Sequence, residues 1–367
     1  MPKLPLDSTL GITDRHGVNA QSGAVVNHSF VDCMMDTFNE GLNRELPSDL
    51  VRVFVGADRS QLLAVKVLEH SIKRHTQLPV EVHPMVDLPV RVPKDPLNWQ
   101  RTGFSFSRFC IPALAGYRGK ALYLDADMLV FSDIASLWNL PFEGAKVIIQ
   151  EELPAERQQT NQKVGAPKQR IKQCAVMLLD CDRLTWKIDD IISDFDQGRY
   201  DYEKLMYDLC ILSEDEIKYA VPFHWNSMEH YEPGETALIH YTDMATQPWV
   251  YAQNEYGALW LQEVRLMLKN GSLTHEALQA EIDLGYFRPS LKMDVTWGHR
   301  VPSFLRSGFE KLMQAMDKPY KPHKEVYRQK KIRVKAVKAK QAEEKQAAEK
   351  QAAEKQAAEK QTMKTAE

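Results

Sequence analysis

The stretch VRVFVGADRSQLLAVKVLEHSIKRHTQLPVEVHPMV, residues 51–86, decides the fold. It opens with an apolar, β-branched run, VRVFVGA, which is typical of a buried strand. A segment whose apolar residues recur at helical spacing follows, and VEVHPMV then predicts a second strand. Strand, helix and strand at this spacing form a βαβ unit, and such a unit implies a parallel sheet.

Alternating strands and helices continue on the C-terminal side of this unit. Further strands are predicted in ALYLDADMLVF, KVIIQ, AVMLLDCD and ALIHYTD, and an amphipathic helix is predicted over 250–269. We therefore expect a single mixed α/β domain with a mainly parallel sheet. The predicted organisation is an N-terminal extension at 1–48 with a helix at 31–46, the α/β domain at 49–309, a basic neck at 310–340 and a low-complexity tail at 341–367.

Charge is unevenly distributed along the chain. The formal net charge is −3, yet residues 318–340 carry ten Lys and Arg against one acidic residue. Residues 1–317 are correspondingly acidic, with a charge of −11. An acidic body argues against nucleic acid as the main partner. The neck is suited to peripheral contact with anionic lipid, and a solvated basic helix is the alternative interpretation.

Several other protein classes are excluded by the pattern. No run approaches the roughly 18 apolar residues of a membrane-spanning helix, and the first residues show no secretory signal. Five scattered cysteines without a C-x-x-C pair indicate reduced thiols, so we expect a cytoplasmic protein, either free or peripheral on the membrane face. The tail repeats Gln-Ala-Ala-Glu-Lys without an apolar seam, which predicts a partly helical spacer or, alternatively, disorder.

The residues best suited to chemistry are Asp125 and Asp127, which follow an apolar run. Ligands of open α/β sheets bind beyond the carboxyl ends of strands, and two carboxylates there suit Mg²⁺ or Mn²⁺. The chain contains two further Asp-x-Asp triplets, at 180–182 and 194–196. The triplet at 125–127 is therefore by itself a weak indication of a metal site. The triplet at 180–182 also follows an apolar strand, so its local context does not eliminate it.

Three stretches in order, SFSRF, ALYLDADMLVFSDIASLW and ALIHYTDMATQPW, closely resemble glycosyltransferase family 8 and its relatives. The resemblance spans about 51–249 and leaves out the first 48 residues, the neck and the tail. It implies a GT-A (Rossmann-like) fold and a retaining, metal-dependent enzyme that uses nucleotide-diphosphate sugars.

The resemblance also implies roles for individual residues. Asp125, Asp127 and His240 resemble the metal ligands of the family, with Mn²⁺ or Mg²⁺ as the ion. The turn that carries Asp58 resembles the pocket for the nucleotide base, although Asp58 could equally be a helix cap. Arg108 resembles an arginine that contacts the donor, with a structural ion pair as the alternative.

Further positions bear on the donor and the acceptor. Ala126 lies between the two predicted metal ligands, and Gln247 stands where the family has a phosphate-contacting lysine. The acceptor-side candidates are Tyr207 and Asp208, where Tyr207 replaces a glutamine of the family. An Ala-Gly pair of the family reads Cys174-Ala175 here. These departures leave the donor sugar and the acceptor open.

The sequence therefore predicts a hexosyltransferase that moves a sugar, with retention, from a nucleotide-sugar donor such as a UDP-sugar to a hydroxyl of a saccharide, glycolipid or protein acceptor. Two alternatives remain. One is a non-catalytic sugar-nucleotide-binding or scaffold protein. The other is a sugar-phosphate nucleotidyltransferase, which normally needs a Gly-rich loop where this chain has a single Gly56.

Overall fold

The computed structural model describes residue 47 and residues 49–150 and 172–365. The helix predicted at 31–46 lies outside these residues. The described strands are β1 Val51–Gly56, β2 Val80–Met85, β3 Lys120–Asp125, β4 Met128–Val130, β5 Val147–Gln150, β6 Val176–Asp180, β7 Ile217–Val221, β8 Ser227–Met228 and β9 Leu238–His240. The described α-helices are α1 Leu62–His75, α2 Ile111–Leu114, α3 Ala135–Trp138, α4 Ile188–Asp196, α5 Tyr202–Asp208, α6 Gly257–Asn270, α7 His275–Asp283, α8 Leu291–Trp297, α9 Ser303–Asp317 and α10 Lys324–Thr365.

The strands form a six-stranded sheet in the order β2-β1-β3-β6-β5-β7 and a three-stranded sheet in the order β4-β9-β8. In the large sheet β1 is parallel to both β2 and β3, and β5 is parallel to β7. Strand β6 runs antiparallel to its two neighbours, β3 and β5. The predicted α/β class with a mixed, mainly parallel sheet is confirmed.

The large sheet is covered on both faces, as a parallel sheet requires. Alternation along β3 shows how the sequence achieves this, because its side chains divide between two apolar clusters. Ala121 and Tyr123 belong to one cluster, whereas Leu122 and Leu124 belong to the other. All four side chains are fully buried, so the core lies directly beneath the strand end that carries Asp125.

The predicted strand ALYLDADMLVF is two strands, and this is a correction to the prediction. Strand β3 ends at Asp125, the chain turns at Ala126 and Asp127, and β4 starts at Met128 in the smaller sheet. Met128 pairs with His240, and the amide nitrogen of Tyr241 donates to the carbonyl oxygen of Asp127 at 2.8 Å. The turn, together with the β4–β9 pairing, therefore brings the histidine to the two aspartates.

The direction of β6 separates the competing triplet at 180–182 from the one at 125–127. Leu124 pairs with Val176, whereas Lys120 pairs with Asp180. Asp180 therefore lies about five residues, or roughly 17 Å, back along the sheet from Asp125. Only 125–127 stands at the carboxyl edge of β1 and β3.

The C-terminal helices differ in extent from their predictions. Helix α6 begins at Gly257, and residues 250–256 form turns in which Asn254 Oδ1 accepts from the amide nitrogen of Tyr256 at 2.9 Å. The predicted helix over 250–269 was therefore too long at its start. Helix α10 is one continuous helix that includes the Gln-Ala-Ala-Glu-Lys repeats, so the predicted helical, low-complexity C-terminal segment is confirmed. The other domain boundaries remain predictions.

Candidate metal and donor site

Three potential ligand atoms converge at the carboxyl edge of β3. Asp125, Asp127 and His240 each offer one such atom, and these atoms lie within 4.8 Å of one another. His240 Nε2 is 3.1 Å from Asp127 Oδ1 and 3.8 Å from Asp125 Oδ2. Two carboxylates and one imidazole form a donor set that Mn²⁺ accepts. The structure thus brings together the three residues that the sequence proposed as ligands.

Each of the three side chains is held by its other polar atom. Tyr123 Oη donates to Asp125 Oδ1 at 2.6 Å, and Gln247 Nε2 donates to Asp127 Oδ2 at 2.9 Å. His240 Nδ1 bonds Asn226 Oδ1 at 2.8 Å. The atoms that remain, Asp125 Oδ2, Asp127 Oδ1 and His240 Nε2, are those that face one another. Outer bonds that orient ligands in this way are a regular feature of metal sites.

The cluster is electrostatically costly without a cation. Burial raises the pKa of the Asp125 carboxyl above its ordinary value, and Arg108 and His240 only partly oppose this. Burial lowers the pKa of His240, but the hydrogen bond to Asp127 and the charges of Asp127, Asp125 and Glu229 together outweigh burial, and the net direction of the pKa is upward. A divalent cation would be attracted by both carboxylates and would reduce this cost. The residues therefore fit the ion that the sequence predicted.

Asn226 was missed by the sequence interpretation, since nothing in FHWNSM marks this residue. Its Nδ2 donates to Gln150 Oε1 at 2.6 Å, which turns Oδ1 toward His240. His240 Nδ1 then carries the hydrogen, and Nε2 is left as the ligand nitrogen.

We expect Asn226→Leu to weaken Mn²⁺ binding about 10- to 100-fold, because His240 loses the partner that fixes its ring. Calorimetric titration with Mn²⁺ measures the effect. Asn139→Leu, at an exposed position beyond α3, is the matched control and should bind Mn²⁺ like the unchanged protein. Equal affinity in both variants would contradict a supporting role for Asn226.

Gln247 is buried beside Asp127, with only 1% of its surface exposed. Its Nε2 donates to Asp127 Oδ2 and to the carbonyl oxygen of Tyr241, and two acceptors on one nitrogen fix the orientation of the amide. Among the described residues Oε1 then has no hydrogen-bond partner. An orphaned buried oxygen next to the ligands is what a bound cation or a donor hydroxyl group would satisfy.

Arg108 is buried on the other side of Asp125. Its Nη1 donates to the carbonyl oxygen of Cys174 at 2.8 Å, and its Nη2 donates to Tyr123 Oη at 3.1 Å. Nη2 is also 3.8 Å from Asp125 Oδ1. The relay from Arg108 through Tyr123 to Asp125 matches the structural ion pair weighed for Arg108. It leaves Nε without a partner in the described part of the chain.

Asp58 follows β1 at the same edge of the sheet. Its Oδ1 accepts from the amide nitrogen of Ser60 at 2.8 Å, which makes it the cap of a short 3₁₀ helix, Arg59–Gln61. The capping interpretation is therefore realised. It occupies one carboxylate oxygen, and the base-binding role remains a proposal.

Tyr207 and Asp208 end helix α5. The carbonyl oxygen of Asp208 accepts from Lys172 Nζ at 2.9 Å, and Lys172 lies two residues before Cys174, the partner of Arg108. Because β6 is antiparallel, the residues that precede it lie beside the end of β3. The two acceptor-side candidates are thus tied to the edge of the sheet that carries the cluster.

Ala126 is buried in the core between the two aspartates, with 2% of its surface exposed. Its methyl group packs with the apolar cluster under the turn, so contact with a donor would have to come from its backbone. The donor-binding role proposed for it stays a prediction.

The part of the chain that carries Asp125 and Asp127 is similar to a known protein family. Residues 54–197 match glycosyl transferase family 8. The resemblance carried by the sequence motifs is confirmed over this segment, and with it the GT-A assignment of the fold. Family 8 is a family of glycosyl transferases, and the segment that matches it carries Asp125 and Asp127. The match ends before His240 and Gln247, which makes the convergence of those residues on Asp127 an independent observation.

Protein CDI of Arabidopsis thaliana is 29% identical to this chain over 251 residues, which cover 64% of this chain and 92% of CDI. Among solved structures, the galactosyltransferase LgtC in complex with donor and acceptor sugar analogues has 16% identity and a TM-score of 0.40, covering 63% of this chain and all of LgtC. The apo form of the glycosyltransferase GlyE of Streptococcus pneumoniae TIGR4 has 16% identity and a TM-score of 0.41. The match to GlyE covers 58% of this chain and 59% of GlyE.

The chain spans only half, 50%, of another similar structure, the bifunctional glycosyltransferase WbbM in its apo form. That similarity covers 60% of this chain at 12% identity, with a TM-score of 0.42.

Proposed function

We propose that the protein is a metal-dependent retaining glycosyltransferase that moves a hexose or related sugar from a nucleotide-diphosphate sugar, most simply a UDP-sugar, to an acceptor hydroxyl. The observation that carries the proposal is the convergence of Asp125, Asp127 and His240, each held by its other polar atom. The segment that matches family 8 contains Asp125 and Asp127, and together with His240 they are suited to hold the diphosphate of the donor through Mn²⁺ or Mg²⁺.

A divalent ion bound there would supply positive charge to the departing diphosphate. The protein keeps its ligands in place before the donor arrives, so little reorganisation is needed at the moment of transfer. Arg108 donates hydrogen bonds to the carbonyl oxygen of Cys174 and to Tyr123 Oη, and its guanidinium adds positive charge 3.8 Å from Asp125 Oδ1. Gln247 orients Asp127 and lacks the charge that a lysine would bring there.

On the donor side, Asp58 is proposed to bind the base with the carboxylate oxygen that does not cap the helix. The backbone of Ala126 and the Oε1 atom of Gln247 are proposed to meet the sugar-diphosphate part. On the acceptor side, Tyr207 and Asp208 are proposed to contact the incoming hydroxyl group, which belongs to a saccharide, a glycolipid or a protein.

Metal-dependent hydrolysis of a panel of UDP-sugars, with Mn²⁺, Mg²⁺ and chelator arms, tests the proposal. We expect one donor to be hydrolysed with Mn²⁺ and spared with chelator. Donor binding without any turnover would favour the non-catalytic alternative. Release of pyrophosphate from a nucleoside triphosphate and a sugar phosphate would favour a nucleotidyltransferase.

We further propose that the neck contacts the anionic face of the cytoplasmic membrane, which places the enzyme in the cytoplasm. No helix among the described residues is long and apolar enough to cross a membrane. Lys330, Lys331, Lys335 and Lys338 recur at helical spacing on α10 and are exposed. On α9, just before the neck, Phe304 is 81% exposed, as an interfacial apolar anchor would be.

Changing these four lysines to Gln should lower binding to vesicles that contain phosphatidylserine by at least about tenfold, since each charge contributes about 1 kcal/mol near the surface. Co-sedimentation at low and high salt measures the change. Lys345→Gln with Lys350→Gln, further along the same helix, is the control and should bind nearly as well. Unchanged binding of the four-lysine variant would contradict the proposal.

A further inference from the structure

The C-terminal helix begins against the loop that carries part of the cluster. His323, immediately before α10, is 7% exposed, and its Nε2 donates to the carbonyl oxygen of Met244 at 2.8 Å. Met244 lies between His240, the imidazole of the cluster, and Gln247, which orients Asp127. His323 therefore binds the loop whose two ends both enter the candidate metal site.

Charged groups of the site act on His323. Burial lowers the pKa of its imidazole, and its hydrogen bond to the carbonyl oxygen of Met244 and the carboxylates of Asp58 and Asp127 oppose this. Asp58 belongs to the proposed base pocket, and Asp127 belongs to the candidate metal site.

The backbone of His323 is itself unusual. Its φ is 49°, a left-handed conformation that residues other than glycine rarely adopt. Such a conformation is strained for a residue other than glycine and persists where the surroundings fix it. The bond to Met244 and the burial of the ring are the interactions that fix it here.

Farther along, the same helix is attached to a second loop. Arg333 Nη2 donates to the carbonyl oxygen of Leu97 at 3.3 Å, and Lys340 Nζ pairs with Asp95. Gln329 lies against this loop as well, since a Cβ added to Gly103 would meet its side chain at 3.5 Å. Three successive turns of α10 thus hold residues 95–103.

The second loop flanks the site on its acceptor side. Asn98 Oδ1 accepts from the amide nitrogen of Tyr202, the first residue of α5, at 3.0 Å. The guanidinium of Arg101 lies 4.1 Å from the centre of the Tyr202 ring. The loop then continues into the segment that carries Arg108. It therefore joins the acceptor-side helix to the residues that support Asp125.

One face of α10 makes the contacts with the second loop. Positions 329, 333 and 340 recur at helical spacing, and from His323 to Lys340 the segment covers roughly 25 Å. A rigid element of this length can hold two loops at a fixed separation, whereas loops alone are easily displaced.

We propose that α10 is a strap that fixes the 241–248 and 95–103 loops on either side of the donor site, and that His323 is a positioning residue for donor binding. The proposal rests on the proposed function, because it assumes that a nucleotide-sugar binds between these loops. Loops that are ordered before binding cost less entropy when the donor arrives, so loss of the strap weakens donor affinity. The basic neck would then serve the site as well as any membrane contact.

Two truncations of the full chain test the strap. One ends after Pro322 and removes His323 with all of α10, and the other ends after Glu344 and removes only the repeats. With a hydrolysable UDP-sugar and Mn²⁺, we expect the first to raise the donor KM about tenfold or more with a smaller change in kcat. The second should match the full chain. No turnover by the full chain would refute the proposed function, whereas equal KM values in an active full chain and in both truncations would refute the strap.

Point variants separate the hydrogen bond from the backbone. His323→Gly relieves the left-handed strain but removes the bond to Met244, and it should still raise the donor KM several-fold. His299→Ala, at an exposed histidine, is the matched control and should leave KM unchanged. If His323→Gly has the KM of the unchanged protein, His323 is not a positioning residue.

Hydrogen exchange gives a readout that does not depend on turnover. In His323→Gly we expect faster exchange in 241–248 and unchanged exchange in 95–103. Arg333→Ala combined with Lys340→Ala should show the reverse. Melting temperatures of both variants show whether the rest of the protein remains folded. Exchange that is faster throughout the protein in both variants would overturn the strap. Exchange that is unchanged in both loops would overturn it as well.

Discussion

Asp125→Asn is expected to reduce donor turnover by at least about 100-fold while the protein remains folded. The asparagine keeps the shape of the side chain and can still accept from Tyr123 Oη. It loses the negative charge that would hold a divalent ion against the diphosphate, and a preorganised electrostatic contact of this kind contributes a factor of about 10² to 10³. The rate of UDP-sugar hydrolysis with saturating Mn²⁺ measures the loss, and circular dichroism monitors the fold.

The chain contains its own control for this variant. Asp182→Asn alters the same kind of triplet at the opposite end of β6, where the residue is exposed. Its turnover should equal that of the unchanged protein. If Asp125→Asn retained full activity, the metal assignment would be wrong. A similar loss in Asp182→Asn would show that the effect is not specific to the cluster.

Arg108→Met is expected to lower the free energy of unfolding by about 2–3 kcal/mol and to impair turnover as well. The guanidinium donates to the carbonyl oxygen of Cys174 and to Tyr123 Oη, and it lies over the ring of Tyr123 at 4.6 Å. Methionine fills much of the volume but leaves a buried carbonyl oxygen unpaired and Asp125 without a nearby positive charge. Urea denaturation followed by fluorescence measures the stability.

Arg199→Met is the matched control for this effect. Arg199 pairs with Asp194 through one hydrogen bond, and its side chain is 62% exposed, so its loss should change stability by less than about 1 kcal/mol. Equal stability changes in the two variants would contradict the role given to Arg108 beneath the cluster.

The sequence predicted the class of the fold because its strongest signals are local. Residues 51–86 contain a complete βαβ unit, and β1 and β2 pair in parallel as expected. The same reasoning failed where the pattern of apolar residues does not indicate whether a strand runs parallel or antiparallel to its neighbours. Nothing in AVMLLDCD shows that β6 is antiparallel, and it is this direction that places Asp180 away from the site.

The site was predictable to the extent that its residues carry motifs. Asp125, Asp127 and His240 were proposed from the resemblance and lie together in the structure. The residues that orient them are ordinary in sequence, because Asn226 acts through a fold contact between distant segments. Tyr123 was detectable in principle, since it stands two residues before Asp125 and alternation puts both side chains on one face of β3.

The C-terminal segment shows a different limit of the sequence. Its composition predicted a helix and a basic surface, yet the same composition does not reveal which face packs on the body. His323 has no motif around it, and only the bond to Met244 connects it to the site. Such contacts depend on tertiary packing, which overrides local propensity.

Binding of Mn²⁺ to the full chain, with and without UDP, tests the central claim most directly. Titration calorimetry on the unchanged protein should show one ion per chain, bound more tightly when UDP is present. Asp125→Asn combined with Asp127→Asn should abolish that binding, while Asp182→Asn should leave it intact. Equal Mn²⁺ affinity in the double variant and in the unchanged protein would contradict the assignment of Asp125, Asp127 and His240 as the metal site.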